Sequence, residues 1–118
     1  MISRAAPGQP LVWDASVLET LFAGDADLIR SVVYTFVDSM RASVADLTLA
    51  AQAGHLQEVT ELAHRIKGAS RMSGALTLAQ AAEDLEQLAR YKADAMPLLA
   101  GVAWLHREWK RVQQACSP

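Results

Sequence analysis

Cysteine is nearly absent from this chain: Cys116 is its only one, so neither an internal disulfide nor a cysteine-based metal cluster can form. Long apolar runs are missing too. The longest, Ala95 to Leu105, spans eleven residues and contains Pro97, well short of the roughly 20 that a membrane-spanning helix needs. Charge of one sign is also lacking. Eleven basic residues stand against 13 acidic ones, a net charge of -2, which excludes a bulk attraction to nucleic acid or to an anionic membrane surface. Aromatic residues make up only 6% of a sequence that is 52% hydrophobic and rich in Ala and Leu, a balance that suits packed helices better than a sandwich or barrel.

At 118 residues the chain is long enough for one domain with a single core. Residues 1–11 carry Pro7, Pro10 and one arginine but no apolar core of a signal peptide, and read as a linker or disordered N-terminus ahead of a domain over 12–115. The lone cysteine fits a reducing, cytoplasmic setting.

Period and punctuation predict five helical segments. Asp14 is placed to cap a short helix carrying Leu18, Leu21 and Phe22, closed by Gly24. Asp25 caps a long one striped by Ile29, Val33, Phe36, Met40, Val44, Leu47 and Ala51 and ending at Gly54. A third helix runs from Leu56 to about Ser73. Thr77 and Gln80 then form a capping box for a fourth over Leu78 to about Tyr91. Asp94 caps the fifth, with Pro97 tolerated in its first turn and Leu98, Val102, Leu105, Trp109 and Val112 on one face. No strand pattern competes. The expected fold is all-α, an antiparallel four-helix bundle with a short leading helix.

The third helix holds an anomaly. Gly68 lies in its interior, where glycine costs roughly 1 kcal/mol against Ala. At about 100° per residue, Val59, Leu62, Ala63, Ile66, Ala69, Ser70 and Ser73 gather on one arc, while His64 falls about 150° from its centre. Thr60, Lys67, Gly68 and Arg71 surround His64 on that outward surface. A residue four positions on stands beside the imidazole, and glycine there leaves an open path to the ring. An exposed imidazole is partly neutral at pH 7 and therefore nucleophilic, and Lys67 with Arg71 can meet negative charge arriving at it. A histidine beside a lysine on a helix surface is common. The conjunction with a costly glycine that clears space is what singles out this one.

The remaining candidates are plainer. His55 is expected on the core side as a packing or capping residue, His106 as a solvated surface histidine, and Cys116 as a free tail thiol. Trp13, Trp104 and Trp109 read as core or rim anchors. No metal or cofactor site is implied by any spacing.

The run from His64 through Arg65, Ile66, Lys67, Gly68, Ala69, Ser70, Arg71, Met72 and Ser73 to Gly74 and Ala75 resembles the signature of histidine-containing phosphotransfer (HPt) domains. Trp13-Asp14, Gly24-Asp25 and Asp84-Leu85-Glu86 extend the likeness over about residues 12 to 114. The resemblance implies a four-helix bundle and a phosphorelay intermediate. His64 would accept a phosphoryl group from the aspartyl phosphate of a receiver domain and pass it to another receiver. Lys67, Gly68 and Ser70 would be the phosphoryl-stabilising or access positions, with Ser70 and Gly74 in packing and turn roles. Thr60, Arg71, Glu86 and Arg90 would give support or docking. Some family members carry Gln at the position of Glu86 to hydrogen-bond the imidazole; a carboxylate can do the same but also repels an incoming phosphoryl group.

The resemblance further implies a cytoplasmic monomer without cofactor, nucleic-acid or membrane contact. Its partners would be receiver domains of response regulators or of a hybrid histidine kinase, to which the chain could itself be attached. With no Gly-rich phosphate loop and no acidic cluster for Mg²⁺, it would be an intermediate rather than an enzyme. Two alternatives stand beside this, a non-catalytic helical adaptor and the phosphoacceptor domain of a chemotaxis-type kinase. Arg65 argues against a kinase dimerisation helix pair, which places an acidic residue directly after its histidine.

Overall fold

Asp14 and Asp25 start the first two helices as their sequence positions predict. Asp14 accepts from the Ser16 amide at 3.0 Å and Asp25 from the Leu28 amide at 3.1 Å, each satisfying a donor the helix itself leaves free. The computed structural model describes residues 3–4 and 11–116. Its elements in chain order are β1 (Ser3–Arg4), β2 (Leu11–Trp13), α1 (Ala15–Leu21), α2 (Ala26–Gln52), α3 (Leu56–Ser73), α4 (Leu76–Arg90) and α5 (Ala95–Cys116). Helices α2 to α5 form the expected antiparallel four-helix bundle, with α3 packed between α2 and α4, and α5 closing the ring between α4 and α2. The long axis of 44 Å is close to the roughly 40 Å of α2.

One element departs from the expectation that no strand exists. β1 and β2 pair antiparallel, Ser3 opposite Trp13 and Arg4 opposite Leu11. Two residues facing three are too short for any periodic signal, so sequence pattern could not expose them. Most of the expected linker over 1–11 lies outside the described residues. Val12 and Trp13 at the other side of this pairing are buried, and Trp13 sits 6.0 Å from the Phe36 ring, centroid to centroid.

The heptad-like stripes become the core. Phe36, Met40, Val44, Leu47 and Ala51 of α2 meet Val59, Leu62, Ala63 and Ile66 of α3, with Leu78, Leu85, Leu105, Trp109 and Val112 completing the interior. Trp104 is only partly buried, at the rim. Among the described residues no helix is long and apolar enough to cross a membrane.

The corner between α3 and α4 is tighter than the sequence reading has it. Gly74 adopts φ 97°, the left-handed region glycine enters without penalty, and the Ala75 amide returns to the Ser70 carbonyl at 2.8 Å. The chain is thus reversed within one residue and α4 begins at Leu76. The capping box expected from Thr77 and Gln80 does not form. Thr77 lies inside the first turn, buried, with no side-chain partner for its hydroxyl. The Gly74 carbonyl also accepts from the Asp14 amide at 2.8 Å, latching the start of α1 to this corner.

A Cβ at position 74 would be driven onto the Asp14 carbonyl and would sit at a positive φ. Gly74→Ala is expected to lower stability by about 2–3 kcal/mol, read as a drop in the urea midpoint with the m-value unchanged.

Candidate functional site

His64 lies midway along α3 with its side chain 65% exposed, as the helical arithmetic requires. Its Nδ1 is 2.9 Å from Oε2 of Glu86, which reaches across from α4. Glu86 is the unusual residue here, a carboxylate whose side chain is only 2% exposed. Three nitrogen groups converge on it. Lys67 Nζ lies 2.6 Å from Oε1, and Arg90 Nη2 and the imidazole Nδ1 share Oε2 at 2.7 and 2.9 Å. Spacing brings them together. Lys67 is three residues beyond His64 on one helix, and Arg90 is four beyond Glu86 on the next, so two neighbouring turns face one another across the α3–α4 seam.

Burial pushes the Glu86 carboxyl up, but the hydrogen bonds from Lys67 and His64, together with the charge of Lys67, outweigh it and hold the group below its ordinary value of 4.5. An ionised carboxylate only accepts. The bond to His64 therefore fixes the proton on Nδ1 and leaves the Nε2 lone pair toward solvent. Lys67 accordingly differs from the free outward cation of the sequence reading. Its side chain is only 15% exposed, drawn down onto the carboxylate.

Gly68 is exposed, and a Cβ built there meets nothing within 4 Å. Helix packing therefore does not demand glycine at this position. The other candidates scatter. Ser70 is fully buried with its hydroxyl unpartnered, so it packs and cannot touch a group arriving at His64. Thr60 donates its hydroxyl to the Leu56 carbonyl at 2.8 Å. Arg71 pairs with Glu83 at 3.1 Å and takes no part in the Glu86 cluster. His55 corrects its expected core-side placement. It heads α3 with no side-chain cap bond, and its exposed ring lies 3.6 Å from Glu58, because His55 is the non-helical residue before the first turn and lies off the helical face that carries Leu56 and Val59 inward. His106 is exposed as expected, yet its Nε2 lies 2.7 Å from the Thr48 hydroxyl. Cys116 is partly buried and burial raises its thiol pKa.

Of the three exposed imidazoles, His64 alone is steadied from behind by a buried carboxylate of the neighbouring helix, and a four-helix bundle that presents such a ring has the arrangement of a histidine phosphotransfer module. The model of the Hpt domain family matches residues 31–115, and the chain belongs to that family, whose role is histidine phosphotransfer in phosphorelays. Among solved structures, histidine-containing phosphotransfer protein B from Pseudomonas aeruginosa PAO1 superposes with a TM-score of 0.81 at 29% identity, covering 95% of this chain and 93% of that one. The HPT domain of a sensor hybrid histidine kinase from Shewanella gives 0.75 at 17% identity, over 89% and 90%, a likeness of fold. No curated protein sequence matches the chain.

Because the folded Glu86 binds its proton less tightly than the unfolded one, its ion pairs stabilise the fold above about pH 4.5, and that contribution is lost as pH falls through the lower folded value. Urea midpoints measured between pH 6 and pH 2.5 are expected to fall for the wild type. Those of Glu86→Gln should fall less, since the variant has no carboxyl there to protonate.

Proposed function

We propose that His64 is the phosphoacceptor, taking a phosphoryl group from the aspartyl phosphate of one receiver domain and delivering it to the aspartate of another. In the accepting step the Nε2 lone pair attacks phosphorus, the P–O bond to the aspartyl carboxylate breaks, and that carboxylate leaves with the bonding pair. No proton has to move at Nε2, because the ring proton already sits on Nδ1 against Glu86. The single observation that carries the reading is that bond, an exposed imidazole held in one tautomer by a buried carboxylate.

Lys67 and Arg90 would move part of their attention from Glu86 to the phosphoryl oxygens as these arrive. Glu86 would repel the phosphoryl group on its own, but the two cations flanking it more than offset its single charge. The receiver supplies the metal ion and the in-line geometry, and the domain acts as a cytoplasmic monomer.

The receiver would dock over His64 and onto the neighbouring shoulder of α2. Support for this comes from a shallow groove of about 380 Å³ between α1, α2 and α3, floored by Phe36 and Met40 and edged by Leu21 and Met72. Leu21 and Met72 are 57% and 67% exposed, and the lining carries no charged residue. An uncharged, apolar rim of this kind matches the apolar surround of a receiver's acidic pocket.

His64→Gln is expected to abolish labelling by a phosphorylated receiver while circular dichroism shows an unchanged helical fold. Retained labelling would remove His64 from the mechanism. Gly68→Gln tests the approach path. It should leave the thermal midpoint equal or slightly higher, since an interior glycine costs roughly 0.5–1 kcal/mol relative to Ala, yet slow transfer by placing a side chain beside the ring. Transfer at the wild-type rate would show that Gly68 is no clearance residue.

A further inference from the structure

Helices α2 and α5 contribute nothing to the His64 cluster, and the seam between them is open. Two hollows of about 550 and 490 Å³ lie along it and share Arg41 and Gln113 as lining, so they form one continuous groove. Its two ends differ in chemistry. Val33, Tyr34 and Val37 line one end, with Tyr34 74% exposed, and the one cation beyond them, Arg30, is paired with Asp27 at 3.1 Å. His106, Arg107 and Lys110 line the other.

The charge there is unbalanced. Arg41 has only Asp38, at 3.6 Å between exposed side chains, and among the described residues Arg107 and Lys110 have no acidic partner. Glu108, the one acid of that stretch of α5, is buried and turned toward Arg111. A chain with a net charge of -2 therefore carries a locally positive strip beside an apolar one.

We propose that this groove docks an acidic amphipathic helix of a partner protein, its apolar side against Val33, Tyr34 and Val37 and its carboxylates against Arg41, Arg107 and Lys110. The dimensions suit a helix. From Arg30 to Ala45 the groove runs about 22 Å along α2, the length of a helix of about 15 residues, and a cleft between two helices receives an amphipathic helix along its axis. A flat anionic membrane would meet only the exposed cations and leave the apolar floor unfilled. A nucleic acid would face a chain whose overall charge repels it. The receiver groove and this one use different faces of α2 and share no lining residue, so this partner and a receiver could be bound together.

The test uses the full chain and an array of fluorescein-labelled 15-residue helical peptides, with Glu on one face and varied Leu, Ile and Phe on the other. A matched set carries Lys for Glu. Anisotropy is expected to show binding by acidic members alone, weakened by salt, with amide shifts confined to 33–45 and 106–113. The double variant Arg107→Glu, Lys110→Glu should weaken it at least tenfold and Tyr34→Ala several-fold. Circular dichroism and the rate of phosphotransfer from a receiver should not change in either variant. The proposal is overturned if no acidic peptide binds, if the Lys set binds as well, or if the shifts fall elsewhere. It is equally overturned if phosphatidylglycerol vesicles or a duplex DNA bind the groove in preference, or if sedimentation shows a second copy of the chain occupying it.

Discussion

Glu86 is a carboxylate sealed between two helices, and the arrangement of its neighbours follows from what such a group requires. Stripping water from a carboxylate costs several kcal/mol unless the lost hydration is replaced by well-placed donors. Here Lys67, Arg90 and His64 replace it. The consequence reaches in both directions. Inward, the ion pairs hold α3 against α4 and so set the angle at which the motif helix presents its outer surface. Outward, the same carboxylate settles which imidazole nitrogen is bare. The ion pairs between the helices and the tautomer of the imidazole therefore draw on one group.

The helices were largely legible because each is written twice, once as an apolar stripe and once as punctuation. Asp14 and Asp25 cap as expected, α3 begins at Leu56 and ends at Ser73, and the outward position of His64 follows from helical arithmetic alone. The start of α4 was misread because Thr77 offers a local capping signal that loses to a non-local constraint. The Gly74 reversal and its bond to Asp14 fix the corner two residues earlier. Pairing of Ser3–Arg4 with Leu11–Trp13 was invisible because so short a ladder leaves no period. His55 departs from its expected side because it precedes the first helical residue and its backbone is not helical, so a helical angle does not apply to it.

At the site, sequence located the residues but not their allegiances. Lys67 and Glu86 could each be placed near His64, yet whether the lysine stands free or lies on the carboxylate depends on the depth of Glu86 in the α3–α4 seam. That depth is set by the small side chains around it. Ala82 and Ala89, one turn to either side on α4, are both buried and let the two backbones approach. Arg71 lies one turn farther along the same surface and looked equivalent to Lys67. It instead meets Glu83, so two cations of one helix face divide between two acids.

The bond between His106 and Thr48 gives the molecule a second, opposite imidazole. The Thr48 hydroxyl donates its hydrogen to the Val44 carbonyl at 2.8 Å, so toward His106 it can only accept, and the ring proton there must sit on Nε2. His64 carries its proton on Nδ1. Two solvent-facing histidines of one chain are thus mirror tautomers, with distinct nitrogen-15 shifts expected for each ring. Small reagents that attack bare nitrogens meet Nε2 on one ring and, on the other, an Nδ1 crowded by its own backbone. Between these two rings, the preference of such a reagent for His64 over His106 is in that sense written into the hydrogen bonds of both residues.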